Sequence, residues 1–276
     1  MRRATKLTWS AALLCAAIAS ADESVQTGGP YVPTPHDVVD AMLELAGVGP
    51  RDVVVDLGSG DGRIILAAAR KYQARGVGVD IDPDLVEEAN LTASRLGLSD
   101  RAQFIQQDVM AADLKEVTVL TLYLLPEMMR SLRHKLLQEL KPGTRIVSHD
   151  FHLGEWLPDR TVDMESAEKF EIIGDPASTV YLWIVPAAVA GTWRDGTGAF
   201  RLEIKQHYQD IAGTLTREGR TVTLRDGRID GTQIRFTAPG RDGTGQETYT
   251  GTVENGRMTG DVSGTVPARW SAARVP

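Results

Sequence analysis

Thiol chemistry is all but absent from the 276-residue chain: its one cysteine, Cys15, lies near the N-terminus. Beyond that position no disulfide framework and no cysteine-based metal site can form. An excess of positive charge is missing as well, with 30 Lys and Arg against 37 Asp and Glu and a net charge of −7. That balance is a poor match for nucleic acid or an anionic lipid surface. Long apolar runs are lacking too, the most extended being Leu7 to Ser20, short of the about 20 residues that span a bilayer.

What is present at the N-terminus has a definite order. Arg2, Arg3 and Lys6 precede the apolar run, and Ala19-Ser20-Ala21 closes it ahead of Asp22 and Glu23. This reads as a secretory signal peptide over residues 1–21, cut after Ala21 and directing the chain to the periplasm. An uncleaved membrane anchor is the alternative. Ala12-Leu13-Leu14 lack the small residue expected before a lipidated Cys15, which argues against a lipoprotein. Cleavage would remove three of the 30 basic residues and leave 27 against 37 acidic ones, a charge of −10. Residues 22–30 are polar, end in Gly28-Gly29-Pro30 and read as a linker.

From residue 31 to about 187 apolar patterns of helical and strand type alternate. Thr34 is expected to cap a helix with Pro35 at its first position and Val38, Met42, Leu45 and Ala46 on its inner face. Val53-Val54-Val55 reads as a buried parallel strand. Helices are expected over 63–72, 84–96 and 127–140, and strands over 76–80, 103–107, 117–123 and 144–149. This order predicts an α/β fold, a Rossmann-like sheet that is mostly parallel and covered on both faces. The stretches 161–166 and 179–185 have no long helix between them and are expected to form an antiparallel hairpin at its edge. Residues 190–276 differ, with Asp-Gly and Asn-Gly turns at 195, 226, 230, 242 and 255 and alternating segments between them. They predict an antiparallel all-β meander of seven or eight strands, closed as a small barrel or stacked as a sandwich.

The most informative stretch is Asp56-Leu57-Gly58-Ser59-Gly60-Asp61-Gly62, between the first strand and the next helix. Its glycines allow a sharp turn and close approach of a ligand to the backbone. The dinucleotide pattern G-x-G-x-x-G would place its third glycine where this chain has Arg63. Asp56 at the strand end suits a ligand carrying an ammonium group. The next strand ends in Asp80-Ile81-Asp82, where a carboxylate can accept both hydrogen bonds of a ribose diol. The third ends in Gln107-Asp108-Val109, able to accept from an adenine amino group while apolar neighbours cover the ring.

With these motifs residues 31–150 resemble a class I methyltransferase that uses S-adenosyl-L-methionine (SAM), whose sheet has seven strands with the last antiparallel. Three details resemble more closely the protein-lysine methyltransferases that include the mitochondrial enzyme acting on the c-ring protein of the ATP synthase. These are Tyr31-Val32-Pro33-Thr34, the long glycine motif Val55 to Ile64, and Tyr123-Leu124-Leu125-Pro126-Glu127-Met128-Met129 after the fourth strand. The resemblance implies SAM as cofactor, with Asp56, Gly58 and Gly60 at its methionine part, Asp80 and Ile81 at the ribose, and Asp108 and Val109 at the adenine. It further implies that Tyr31 and Thr34 close over the cofactor and that Tyr123 to Glu127 face the methyl group. Two features depart from that family: its N-terminal hydrophobic segment is uncut, and it lacks a β-rich extension.

Methyl transfer from a sulfonium needs positioning rather than a metal. A lysine acceptor must be stripped of its charge by desolvation or by an acceptor group. Tyr123 and Glu127 are the candidates for steering such an amine, and each has a structural alternative, as a strand-end core residue and as a first-turn helix acid. The acceptor is a protein or a small molecule. The rival reading is a ligand-binding protein on the SAM fold without turnover, with the β-domain as recognition module. An aminopropyl transferase would carry extra acids where Leu124-Leu125-Pro126 stand. His149, Asp150 and His152 read as a surface loop beside the cleft rather than a metal site. Gly191-Thr192-Trp193 resembles the opening strand of lipocalin-like barrels, with the tryptophan serving to pack the barrel end.

Overall fold

The structure, a computed structural model, describes residues 31–241, 243–264 and 267–275. The leader and linker read for residues 1–30 lie outside them.

Helix α1 (His36–Leu45) buries Val38, Val39, Met42 and Leu43 on one stripe. Thr34 does not cap it: Pro35 takes the cap position without a side-chain bond, and Thr34 is itself buried. The helix thus starts directly after Pro35, which has no N–H to leave unpaired at this end. Strand β1 (Val53–Leu57) leads through the glycine loop into α2 (Arg63–Tyr72), then β2 (Arg75–Asp80) and α3 (Pro83–Arg95). Asp82 caps α3, accepting from the Asp84 and Leu85 amides with Pro83 at the first helical position. Next come β3 (Ala102–Gln106), β4 (Val119–Leu122), α4 (Pro126–Glu139) and β5 (Arg145–His149). The expected edge hairpin is present as β6 (Arg160–Glu165) and β7 (Ala177–Ile184), with a short helix α5 (Ala167–Ile173) between them.

The seven strands stand in the order β3-β2-β1-β4-β5-β7-β6. β3 to β5 are parallel and β7 runs antiparallel to both β5 and β6. Two apolar layers cover the sheet, one built with α1, α2 and α3, the other with α4, Trp156 and Trp183. Because the order reverses beside β1, the carboxyl ends of β1, β2 and β4 open onto one crevice, where ligands bind in such sheets.

The remaining strands are β8 (Gly191–Arg194), β9 (Phe200–His207), β10 (Asp210–Arg217), β11 (Arg220–Thr223), β12 (Arg225–Asp230), β13 (Gln233–Pro239), β14 (Gln246–Glu254), β15 (Arg257–Ser263) and β16 (Ala268–Arg274). Pairing of β10 with β9 and of β16 with β8 closes an antiparallel barrel of eight staves, with β11 and β12 sharing one stave broken at Leu224. A sandwich would leave edges that this closure removes. Trp193, Phe236, Tyr249 and Trp270 fill the interior together with a buried Arg217–Glu247 ion pair. Trp193 is sealed by the Arg274 guanidinium, 4.7 Å above its ring.

Candidate active site

The crevice at the carboxyl end of the sheet is a cavity of about 650 Å³, a size that suits a nucleoside-containing ligand. Tyr31, Thr34, Asp56, Gly58, Gly60, Asp80, Ile81, Asp108, Val109 and Tyr123 all line it. The glycine loop supplies the floor. Gly58 and Gly60 have φ of +82° and +50°, and a Cβ on Gly58 would come within 2.6 Å of Leu124. A Cβ on Gly60 would collide with the Tyr31 ring lying over it. Tyr31 thus forms a half-exposed cover, and burial beside Asp61 pushes its phenol up to about 12. Thr34 is tied in through its carbonyl, which accepts from Arg63 Nη1 at 2.9 Å.

The strand-end acids differ in surroundings. Asp56 is 2 % exposed and accepts from Thr121 Oγ1 at 2.6 Å. Desolvation lifts its carboxyl to about 7, outweighing that hydrogen bond, so a cationic partner would favour its charged form. Asp80 Oδ2 accepts from the Gly60 amide at 2.8 Å and Oδ1 from the Asp82 amide at 3.0 Å, which orients the carboxylate while leaving lone pairs for a diol. Asp108 is exposed at the rim and accepts from the Met110 amide at 2.8 Å.

The far end of the cavity is apolar and aromatic. Tyr123 follows β4 and stacks on His149 with ring centroids 4.2 Å apart, and on Phe151 at 6.0 Å. Burial and the Asp150 charge push the Tyr123 phenol up, keeping it a neutral donor and acceptor. Leu125 and Met128 face the cavity from the start of α4, whereas Glu127 is exposed and outside the lining residues. The histidine cluster is a surface loop only in part: His152 is exposed in the irregular stretch after β5, whereas His149 is the buried last residue of that strand. His149 is 0 % exposed, its Nδ1 has no partner, and burial lowers its pKa to about 4, so it is neutral. Asp150 accepts from the buried Lys169 Nζ at 2.6 Å and lies 3.4 Å from His149 Nε2, and His152 accepts from the Gly154 amide. Among the described residues no group of three or more His, Cys, Asp or Glu could hold a metal.

Phe151 and Ile173 are lining residues that sequence reasoning missed. Both are single apolar residues at the ends of irregular or short segments, where no periodicity points to a wall; their only signal is apolar character after β5 and at the end of α5.

Known proteins agree with this geometry. The model of the ANTKMT methyltransferase domain matches residues 56–160. A protein-lysine N-methyltransferase of Saccharolobus islandicus (strain REY15A) is 41 % identical over 157 residues, 56 % of this chain and 93 % of that protein. The adenine nucleotide translocase lysine N-methyltransferase of Mus musculus is 36 % identical over 129 residues, 47 % of this chain and 56 % of that protein. The chain thus spans nearly all of the archaeal relative and little over half of the mouse one. Among solved structures, an RNA methyltransferase from Salinibacter ruber in complex with S-adenosyl-L-homocysteine is 52 % identical with a TM-score of 0.52, covering 57 % of this chain and 96 % of that one.

The reversed sheet order, the glycine floor and these relatives define a class I SAM-dependent methyltransferase. Within that class the chain belongs to the protein-lysine N-methyltransferase family represented by the archaeal enzyme.

Proposed function

We propose that the acceptor is the side-chain amine of a lysine in a protein. The observation that carries this reading is the apolar, aromatic end of the cleft, where Tyr123, Leu125, Met128 and Phe151 can desolvate an amine. Among the described residues no cation lines that end to hold a phosphate, and the cleft as a whole is acidic. Asp56, Asp61, Asp80, Asp82 and Asp108 line it against one guanidinium, Arg63, which is already paired with Asp61 at 2.8 Å. Such a wall attracts an ammonium or a sulfonium and repels a phosphate backbone. The names of the archaeal and mouse relatives support a lysine, whereas the Salinibacter protein is named for RNA.

In this reading Asp56 faces the amino group of the methionine moiety, Asp80 the ribose diol and Asp108 the adenine, with Gly58 and Gly60 giving the backbone approach, and Tyr31 and Thr34 forming the cover. Bound SAM supplies a methyl already activated on sulfur. Tyr123, Leu125, Met128 and Phe151 exclude water at that end, which favours the neutral amine. Tyr123 would steer it: the phenol oxygen can accept one N–H and leave the nitrogen lone pair free to face the methyl. SAM held by the strand-end acids would present its methyl to an amine in this apolar end, and the acceptor would enter already deprotonated. Glu127 serves as a first-turn acid of α4, favourable at the helix N-terminus.

We also read the chain as exported. The support is the charged, apolar and small-residue order of residues 1–21.

The acceptor is tested by incubating the purified chain with methyl-labelled SAM and, in parallel, poly-L-lysine or total tRNA. Label on poly-L-lysine alone is expected. Label on tRNA alone would overturn the proposal.

A further inference from the structure

The barrel touches the methyltransferase fold at a point that bears on acceptor binding. The segment 150–159 leaves β5 as an irregular loop, and its second residue, Phe151, lines the aromatic end of the cleft. An irregular loop has few internal contacts to hold it, so its anchors decide its order. At the near end Ser148 Oγ donates to the Phe151 carbonyl at 2.6 Å, and Arg133 of α4 donates to the Leu153 carbonyl at 3.3 Å.

The far end is shared between β7 and the barrel. Trp183 Nε1 donates to the Trp156 carbonyl at 2.8 Å. The Asp159 amide donates to the Leu182 carbonyl and Asp159 Oδ2 accepts from the Ile184 amide, both at 2.7 Å. The barrel holds the stretch between and beside these points. Trp156 is 0 % exposed, and one face of its ring lies flat on Tyr208 at the tip of the β9–β10 hairpin, 5.7 Å away and 8° from parallel. Gln209, next along and itself buried, donates from Nε2 to the Leu157 carbonyl at 2.7 Å. Asp159 pairs with Arg228 of β12. The Leu157 side chain is 66 % exposed, so burial of that residue does not hold the backbone there. Tyr208 has φ +53°, an uncommon conformation for a tyrosine, and its ring also lies 5.9 Å below the Arg133 guanidinium. The hairpin tip therefore contacts both the loop that carries Phe151 and the helix that presents Leu125 and Met128.

We propose that the β9–β10 hairpin positions the 150–159 loop, and with it Phe151, so that the barrel shapes the acceptor end of the cleft without entering it. Tyr208 and Gln209 are positioning residues, since neither lines the cavity. The proposal rests on the reading of that end as the acceptor site, because the acids read as cofactor-binding stand at or just beyond the ends of β1, β2 and β3 instead.

The test uses the full chain with Tyr208→Ala, Gln209→Leu and the conservative Tyr208→Phe. Amide hydrogen exchange is followed over 150–159 and over β1, SAM affinity by calorimetry, and methyl transfer on poly-L-lysine. In Tyr208→Ala and Gln209→Leu the loop amides should exchange about tenfold faster with β1 unchanged. SAM affinity should stay within about twofold while KM for poly-L-lysine rises about tenfold. Tyr208→Phe, which keeps the stacking ring, should behave as the parent. Loop exchange unchanged in Gln209→Leu and Tyr208→Ala alike, or faster exchange with KM unmoved, would overturn the proposal. If the parent chain binds SAM but leaves poly-L-lysine unlabelled, the lysine reading fails, and the exchange measurement still decides whether the hairpin holds the loop.

Discussion

Asp56 shows how one residue can be selected for its discomfort. Its carboxyl sits in a dry strand end with one hydroxyl donor, so ionisation is opposed until a cation arrives. If Asp56 meets the ammonium group of SAM, as proposed, proton loss at about 7 becomes part of cofactor binding. Below that pH the acid is neutral and offers an ammonium little, so SAM affinity is expected to rise about tenfold per pH unit as pH approaches 7 from below, then level off. Calorimetry from about pH 5.5 to 8.5 measures this, and Asp56→Asn should give weak, flat binding. The same residue affects stability in the opposite sense. Its folded pKa is raised, so the unfolded chain binds fewer protons between the ordinary carboxylate range and about 7, and this contribution to stability falls as pH rises through that window. Asp56→Asn should therefore stabilise the ligand-free chain at about pH 8 by roughly 1–3 kcal/mol, read from urea unfolding.

Elements were legible where their chemistry is local. The glycine loop and the acids ending β1 and β2 could be placed from spacing alone, because a strand-turn-helix joint forces those residues to the carboxyl edge of the sheet. The start of α1 was misplaced because Thr34 has the side chain of a cap but is drawn into the cleft wall instead. His149 read as surface because a histidine after a strand usually reaches water; only the tertiary packing under Tyr123 buries it. Asn90 is another residue whose role appears only in three dimensions. From α3 it donates to the Val86 and Phe104 carbonyls and accepts from the Phe104 amide, binding the helix to β3. Asn90→Ala would leave part-buried backbone groups of β3 unpaired and should cost about 1–3 kcal/mol in urea unfolding.

At the scale of the whole molecule, the chain carries a net charge of −7, and its cleft wall has the same sign. A cationic acceptor should be drawn in by that field, and salt should screen it. For poly-L-lysine, kcat/KM is expected to fall about tenfold between roughly 20 and 300 mM salt with kcat nearly constant, as steady-state kinetics would show. The barrel was legible as a unit from its Asp-Gly and Asn-Gly turns, but its closure and its contact with the 150–159 loop depend on pairings far apart in sequence, which no local pattern encodes.

The central claim is that the strand-end carboxylates hold SAM, and Asp80 is the residue on which it turns. Calorimetric titration with SAM at about pH 8 compares the parent chain with Asp80→Ala. Clear binding is expected in the first and a loss of about 2 kcal/mol or more in the second, because the ribose hydroxyls lose their acceptors. Equal affinity in the two would contradict it.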